Sequence, residues 1–398
     1  MRNGLRGLPL LAMLVLAGGC GSGGNGSGTT TGTTAADTAT VASGDARAQQ
    51  VVDAVHTVQA RYGSNAILYG AWVGDKPLAV GAVGNALPGV RAAPDQHVRI
   101  GVGAEWFLGT LLLRMADQGK VRVDDPVAKW YPHLPNASKV TLQMLANNTS
   151  GYNDFVTTPA FSDAFARDPF RSWKPSTLIA IAMSKPPLFA PGTSWAFSDT
   201  NATILGQILQ RVGGKPLGVL YQENLFSRLG MTQTRANTNS IMPTPALHGY
   251  ETSRGPYEDS TNWDVDWVPG ASNVTSTIGD LGRWVRTYGS VLTPSSRKLQ
   301  VAPITAGKGP LPRGTWYGYG LSVTNGWVAS NPQLMGYNGI IAYLPSQKLT
   351  LVTFTTLGPK TPAVVAAATA VFQGVAHALT PQNIPAFSVL PRGQSGNQ

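Results

Sequence analysis

Residues 104–118, AEWFLGTLLLRMADQ, constrain the fold more than any other stretch of this chain. Trp106, Phe107, Leu108, Leu111, Leu112, Leu113 and Met115 lie on most faces of a helix rather than along one stripe. A helix with apolar side chains on most faces has to be covered on most faces, so this one belongs in the interior. Gly119 directly follows and provides a C-terminal stop.

The rest of the chain divides by pattern. NAILYGAWVGDKPLAVGAVG holds two apolar, β-rich runs separated by Gly74-Asp75-Lys76, which reads as a hairpin. Strand-like runs return near the other end in YGYGLSV, GIIAYLP and KLTLVTFTT. Between them, residues 126–263 contain helical pieces joined by Pro/Gly turns, including a short one opening TLQMLANNTSG and others at 203–212 and 217–228. After Pro269, STIGDLGRWVRTYG reads as an amphipathic helix, and residues 362–379 as a closing one. Strands at both ends with helices between them predict an α+β plan with a helical insertion.

The first 45 residues stand apart. Arg2 and Arg6 precede an apolar run over 8–17 and then LAGGC, the pattern of a secretory signal. The run is too short to span a bilayer as a permanent helix. Its end resembles a bacterial lipoprotein signal, which implies removal of residues 1–19 and a lipid anchor on Cys20. An ordinary signal peptide with a chance cysteine is the alternative. Cys20 is the one cysteine in the sequence, so the mature chain has no disulfide and no cysteine-metal site. Residues 20–45, rich in Gly, Ser, Thr and Ala, read as a flexible tether, and 381–398 as a tail. The body between them is roughly 350 residues, enough for one large domain or two interleaved ones.

A net charge of +10 raises the question of nucleic acid, but the basic residues are scattered and form no Lys/Arg run. An anionic envelope, or simple solubility, accounts for the charge without nucleic acid. The five histidines (His56, His97, His133, His248 and His377) lack metal-ligand spacing, and neither metal nor cofactor is expected.

Several longer segments carry a resemblance. VRIG followed by FLGTLLLRMADQGKVRVDDPVAKWYPHLP, LANNTSGYND, PGTSWAFSDTNATILGQILQRVGGKPLGVLYQENLFSRLGMTQT, STIGDLGRW and GYNGIIAYLPSQKLTLVTFTT occur in that order. Together they resemble the serine hydrolases that include class C β-lactamases, DD-peptidases and related esterases, over residues 45–379. The resemblance implies an antiparallel sheet flanked by N- and C-terminal helices. The α/β part would comprise 46–125 and 265–380, and the helical insertion 126–264.

Such enzymes use three motifs. The first is Ser-x-x-Lys at a helix N-terminus, where the serine attacks a carbonyl and the lysine assists its deprotonation. The ungapped match from Arg99 to Asp125 puts Val102 at the serine and Glu105 at the lysine. The second, Tyr-x-Asn, corresponds to Phe197-Ser198-Asp199. The third, Lys-Thr-Gly or His-x-Gly, falls before Gly336, nearest to Ser330, Asn331 and Pro332. All three therefore lack their nucleophilic or proton-handling groups, and valine cannot form an acyl-enzyme.

Two readings follow. One is a degenerate family member that binds a ligand, such as a cell-wall glycan or peptide, or acts as a scaffold at the cell envelope. The other is an enzyme with a rebuilt mechanism, in which Glu105 and Asp199 divide acid and base roles. Against the second, Glu105 can simply favour a helix N-terminus. Family position adds Tyr152, Tyr337 and Asn338 as cleft candidates. Trp263 and Trp267, beside Asp264 and Asp266, read either as exposed ligand contacts or as packing against the insertion. Ser295 and Lys298 in SSRK match Ser-x-x-Lys by chance, in what reads as a polar loop far from the motif's place.

Overall fold

The computed structural model of the chain describes residues 38–267, 273–361 and 366–387. The signal, Cys20, tether residues 20–37 and tail residues 388–398 lie outside them.

The first helix of the body, α1 (Ala46–Tyr62), buries Ala48, Val51, Val55 and Val58, a three-to-four-residue spacing that makes one apolar stripe. Asp45 caps it by accepting a hydrogen bond from the Arg47 amide, and Gly63 ends it in the left-handed conformation. The expected hairpin follows as β2 (Ala66–Val73) and β3 (Lys76–Leu87), with β1 (Thr38–Val41) beside β3.

The C-terminal part supplies β6 (Thr315–Tyr317), β7 (Ser322–Thr324), β8 (Trp327–Ser330), β9 (Gln333–Leu334), β10 (Tyr337–Leu344) and β11 (Leu349–Thr356). The two ends join in one antiparallel sheet in the order β1-β3-β2-β11-β10-β8-β7-β6, with β9 paired to β10. The sheet is thus closed by segments nearly 300 residues apart in sequence, with Ala66 opposite Thr356. Two short strands, β4 (Val98–Arg99) and β5 (Val274–Ser276), pair with each other in a separate small sheet.

The main sheet is covered on both faces. Ile340, Ala342 and Leu344 of β10 pack with α1 and the closing helix α5 (Ala367–Leu379). Tyr337 and Ile341, pointing the other way, join the larger core that contains α2 (Glu105–Asp117), α3 (Asp199–Gly213) and α4 (Ile278–Thr287). The architecture is the expected α+β plan, with the middle of the chain forming mainly short helices.

Every α2 residue from Glu105 to Leu113 is buried, as is Met115. Phe107 meets Trp284 of α4 at 4.5 Å between ring centroids and Phe226 of the insertion at 5.1 Å, both edge-on. A third wall is the turn before β7. A side chain at Gly320, whose φ is +74°, would lie 1.9 Å from the Glu105 carbonyl, so only glycine allows this approach. The interior placement read from the sequence is met by three different neighbours.

The helical stretch at 217–228 holds, with a π-helical turn at Gln222–Phe226 inside it. Two local readings change. The helix after Pro269 starts only at Ile278, because Val274–Ser276 is extended and pairs with Val98–Arg99. SSRK is not a loop but lies in the helix Pro294–Gln300, where the Ser296 hydroxyl donates to Asp117 at the far end of α2. No helix among the described residues is long and apolar enough to cross a membrane.

Candidate functional site

Residues 101–104 form a tight 3₁₀ turn that runs directly into α2. Val102 is half-buried on that turn, and Glu105 opens α2 at 4 % exposure. A spacing of three places both on one side of the helix start. The segment after β8 lies against this turn. A side chain at Gly103 would meet the Pro332 ring at 2.7 Å, and one at Gly101 the Gln333 carbonyl at 2.5 Å. The first and third motif positions are therefore neighbours. Ser330, at the end of β8, shares the strand face of Val328, which packs in the α2 core.

The second motif position opens α3, which packs against α2. Ser198 is fully buried, with its amide donating to Asn148 Oδ1 at 3.1 Å and its hydroxyl to the Asn153 carbonyl at 3.1 Å. Its polar atoms thus hold the 148–153 loop rather than a ligand. Asn201 reinforces this, donating to Asn148 and accepting from Ser150. The Asp199 amide donates to Asp154 Oδ1, which also accepts from the Val156 amide. Asp199 is 5 % exposed, whereas Phe197 is half-buried.

One contact had no signal in the sequence. Tyr317, at the end of β6, donates its hydroxyl to Glu105 Oε2 at 2.8 Å. Trp195, two residues before Phe197, tilts against the Tyr317 ring at 5.7 Å. The loop before β6 is tied to the same region: the Lys308 ammonium donates to the Gly192 carbonyl, and Gly309 abuts the Trp195 carbonyl. A second phenol, Tyr221, packs edge-on against Phe107 of α2. Burial, reinforced by the Glu105 charge, pushes its phenol well above the ordinary range. Glu105 therefore accepts from one phenol and raises the value of another, and nothing local to residue 105 announces either.

Other sequence candidates have different places. Trp263 and Trp267 are 2 % and 5 % exposed and belong to the aromatic core of the insertion. Trp267 stacks on Phe161 at 4.9 Å and on Phe165 at 5.3 Å, while Trp263 meets Phe165 edge-on at 5.9 Å. The reading of exposed indoles is corrected: both rings are buried against Phe161 and Phe165, with the Arg254 guanidinium over Trp263, and flanking carboxylates did not keep the rings in water. Tyr152 and Tyr337 are also buried, with hydroxyls donating to the Pro135 and Leu247 carbonyls. Asn338 alternates with Tyr337 on β10 and so lies on the opposite sheet face, where its Oδ1 accepts from the Ala368 amide of α5. Strand alternation removes it from the cleft.

A charged cluster flanks the site. Arg99, three residues before Val102, is 1 % exposed and donates to the Thr261 and Ser240 carbonyls and to Asn273 Oδ1. It thereby joins three loops with charge-assisted hydrogen bonds. Asp264 accepts from Ser172 and from the Asp266 amide. Burial and the Asp264 charge push Asp266 up to about 7, with Arg99 opposing.

Comparison with known proteins agrees with this geometry. Residues 39–376 match the sequence model of the family described as Beta-lactamase. A putative penicillin-binding protein PbpX of Bacillus subtilis is 22% identical over 261 residues, covering 65% of this chain and 61% of that protein. The D-aminopeptidase of Cereibacter sphaeroides is 25% identical over 224 residues, 56% of this chain and 42% of that protein. The D-alanyl-D-alanine-carboxypeptidase/endopeptidase AmpH of Escherichia coli is 29% identical over 214 residues, 52% of each. The chain thus spans between 42% and 61% of the length of these relatives.

Among solved structures, the D-amino acid amidase from Ochrobactrum anthropi SV3 superposes with a TM-score of 0.74 at 20% identity, over 85% of this chain and 99% of that one. A D-stereospecific amidohydrolase from Streptomyces gives 0.71 at 24%, over 82% and 98%. At such identities the likeness establishes the fold alone. With most of its length matched by the family model, the chain belongs to the β-lactamase family.

Proposed function

We propose that this chain binds an envelope ligand in the family cleft without hydrolysing it. The observation that carries the reading is Val102 on the turn before α2, the turn whose Gly103 abuts Pro332, three residues from Glu105. An isopropyl group cannot attack a carbonyl, Phe197 has no titratable oxygen, and a carboxylate replaces the family's lysine. Loss of the nucleophile alone removes most of the rate in a hydrolase whose groups act as a unit. The names of the relatives, D-aminopeptidase and D-alanyl-D-alanine-carboxypeptidase among them, support a cell-wall peptide containing D-amino acids as the ligand class. The N-terminal pattern supports an exported protein, anchored to the membrane through lipid on Cys20, with the tether ending before β1, which belongs to the sheet of the binding domain.

The test is equilibrium binding of a peptide ending in D-alanyl-D-alanine, with chromatography of the mixture after prolonged incubation. Binding with the peptide unchanged is expected; steady product formation overturns the reading. Glu105 and Asp199, both buried at the starts of packed helices, support a second reading as a rebuilt acid–base pair. In that case product forms and is lost in Glu105→Gln or Asp199→Asn.

A further inference from the structure

The face of the main sheet opposite the cleft carries a second concave feature. α1 and α5 cover that face, and a groove of about 440 Å3 runs along the outer side of their contact. None of the three motif positions borders it.

Small residues make the room. Ala370, Gly374 and Ala378 recur every four positions on α5, so they share one side of that helix, and Ala54 meets them from α1. A side chain at Gly374 would stand 3.3 Å from the Ala54 Cβ, so the two helices approach closely at this point. The floor of the groove is therefore made of short alkyl groups and backbone.

The walls are polar. Gln50, Asp53, Thr57 and Arg61 follow at spacings of three or four along α1, over roughly 16 Å, and Gln373 stands on the α5 side. Asp53 accepts from the Gln49 carboxamide through Oδ1 and from the Thr57 hydroxyl through its carbonyl, which leaves Oδ2 as an acceptor. The Arg61 guanidinium lies 5.2 Å from the centre of the Tyr62 ring, and its planar fork keeps several N–H donors. Gln50 and Gln373 bring a carboxamide from each helix, with a donor and an acceptor apiece.

These groups select by chemistry. One carboxylate and one guanidinium cancel, in a chain whose net charge is +10, so the groove favours neither a polyanion nor a polycation. Carboxamide, carboxylate and guanidinium groups each present two polar atoms side by side, as adjacent hydroxyls on a sugar ring do. The alkyl floor suits the C–H face of such a ring, and the volume is that of a small-ligand site. We propose that the α1–α5 groove binds a neutral oligosaccharide. The groove shares no residue with the cleft, so the proposal stands independently of what the cleft binds or hydrolyses.

The test is saturation-transfer NMR and calorimetric titration of the full mature chain with N-acetylchitotetraose, maltotetraose and tetra-alanine. The last is a zwitterion, the other ligand class that cancelled charges would admit. Wild type is compared with Gln50→Ala/Gln373→Ala and with Ala378→Leu, which fills part of the floor, and circular dichroism confirms folding. At least one of the sugars should bind, and more tightly than tetra-alanine. Each variant should weaken that binding at least fivefold. The double variant, altered at side chains that are exposed or half-buried, carries the test if Ala378→Leu fails to fold. Binding of neither sugar, or a preference for tetra-alanine, overturns the proposal. Unchanged affinity in the folded variants also overturns it, because the sugar is then held elsewhere on the chain.

Discussion

Asp266 makes stability depend on pH in the direction opposite to an ordinary paired carboxylate. Its folded-state value of about 7 stands above the 3.8 of a free aspartate. Between those values the native chain holds a proton that the unfolded chain has released. Stability is therefore fully present below 3.8 and is lost as pH rises towards 7. Each pH unit in that window costs up to about 1.4 kcal/mol. From pH 5 to 8 the upper bound is roughly 3 kcal/mol, and the partial exposure of Asp266 reduces it to about 1–2. Other buried acids, such as Glu251 and Asp280, also have raised values, so wild type alone does not isolate the effect. Asp266→Asn does, because the amide mimics the protonated acid at every pH. In thermal unfolding of the mature chain, the variant should gain a few degrees on wild type between pH 5 and pH 8. Parallel pH profiles, or a variant that loses ground at pH 8, would refute the assignment of the burden to this carboxyl.

Three other outcomes follow from the packing and the N-terminal pattern. Leu112→Ala, at a side chain with no exposure in the middle of α2, should cost about 2–5 kcal/mol in denaturant unfolding. Gly320→Ala should destabilise by more than about 2 kcal/mol, since it adds a backbone collision with Glu105 to an unfavourable φ; a neutral result would mean that the turn does not press on α2. Cys20→Ala should move the protein from the membrane fraction to the soluble one with its thermal unfolding unchanged, and full membrane retention would contradict the anchor.

How much could be read in advance depended on range. The interior position of α2 was legible because its own side chains spread around the helix, a local property. The hairpin at Gly74 was legible for the same reason. The Tyr317–Glu105 bond spans 212 positions, and no pattern near either residue encodes it. The indoles of Trp263 and Trp267 were left between two environments by their acidic neighbours; Phe161 and Phe165, about a hundred positions earlier, decided in favour of burial. Asn338 was misplaced by position alone, although alternation from Tyr337 puts the two on opposite sheet faces. The third motif was placed by its distance from Gly336, but its contact with the first, Pro332 on Gly103, required the folded chain.

The central claim is that the cleft is kept while its chemistry is removed. Intact-protein mass spectrometry after incubation with benzylpenicillin and with a fluorophosphonate tests it on two proteins, wild type and Val102→Ser/Glu105→Lys/Phe197→Tyr. Oxyanion stabilisation and binding alone leave on the order of 10³-fold catalysis in a hydrolase without its triad, so restored groups in a preserved cleft should react. The account predicts an unmodified mass for wild type and a covalent adduct on the triple variant. An adduct on wild type, or a folded triple variant with none, would contradict it.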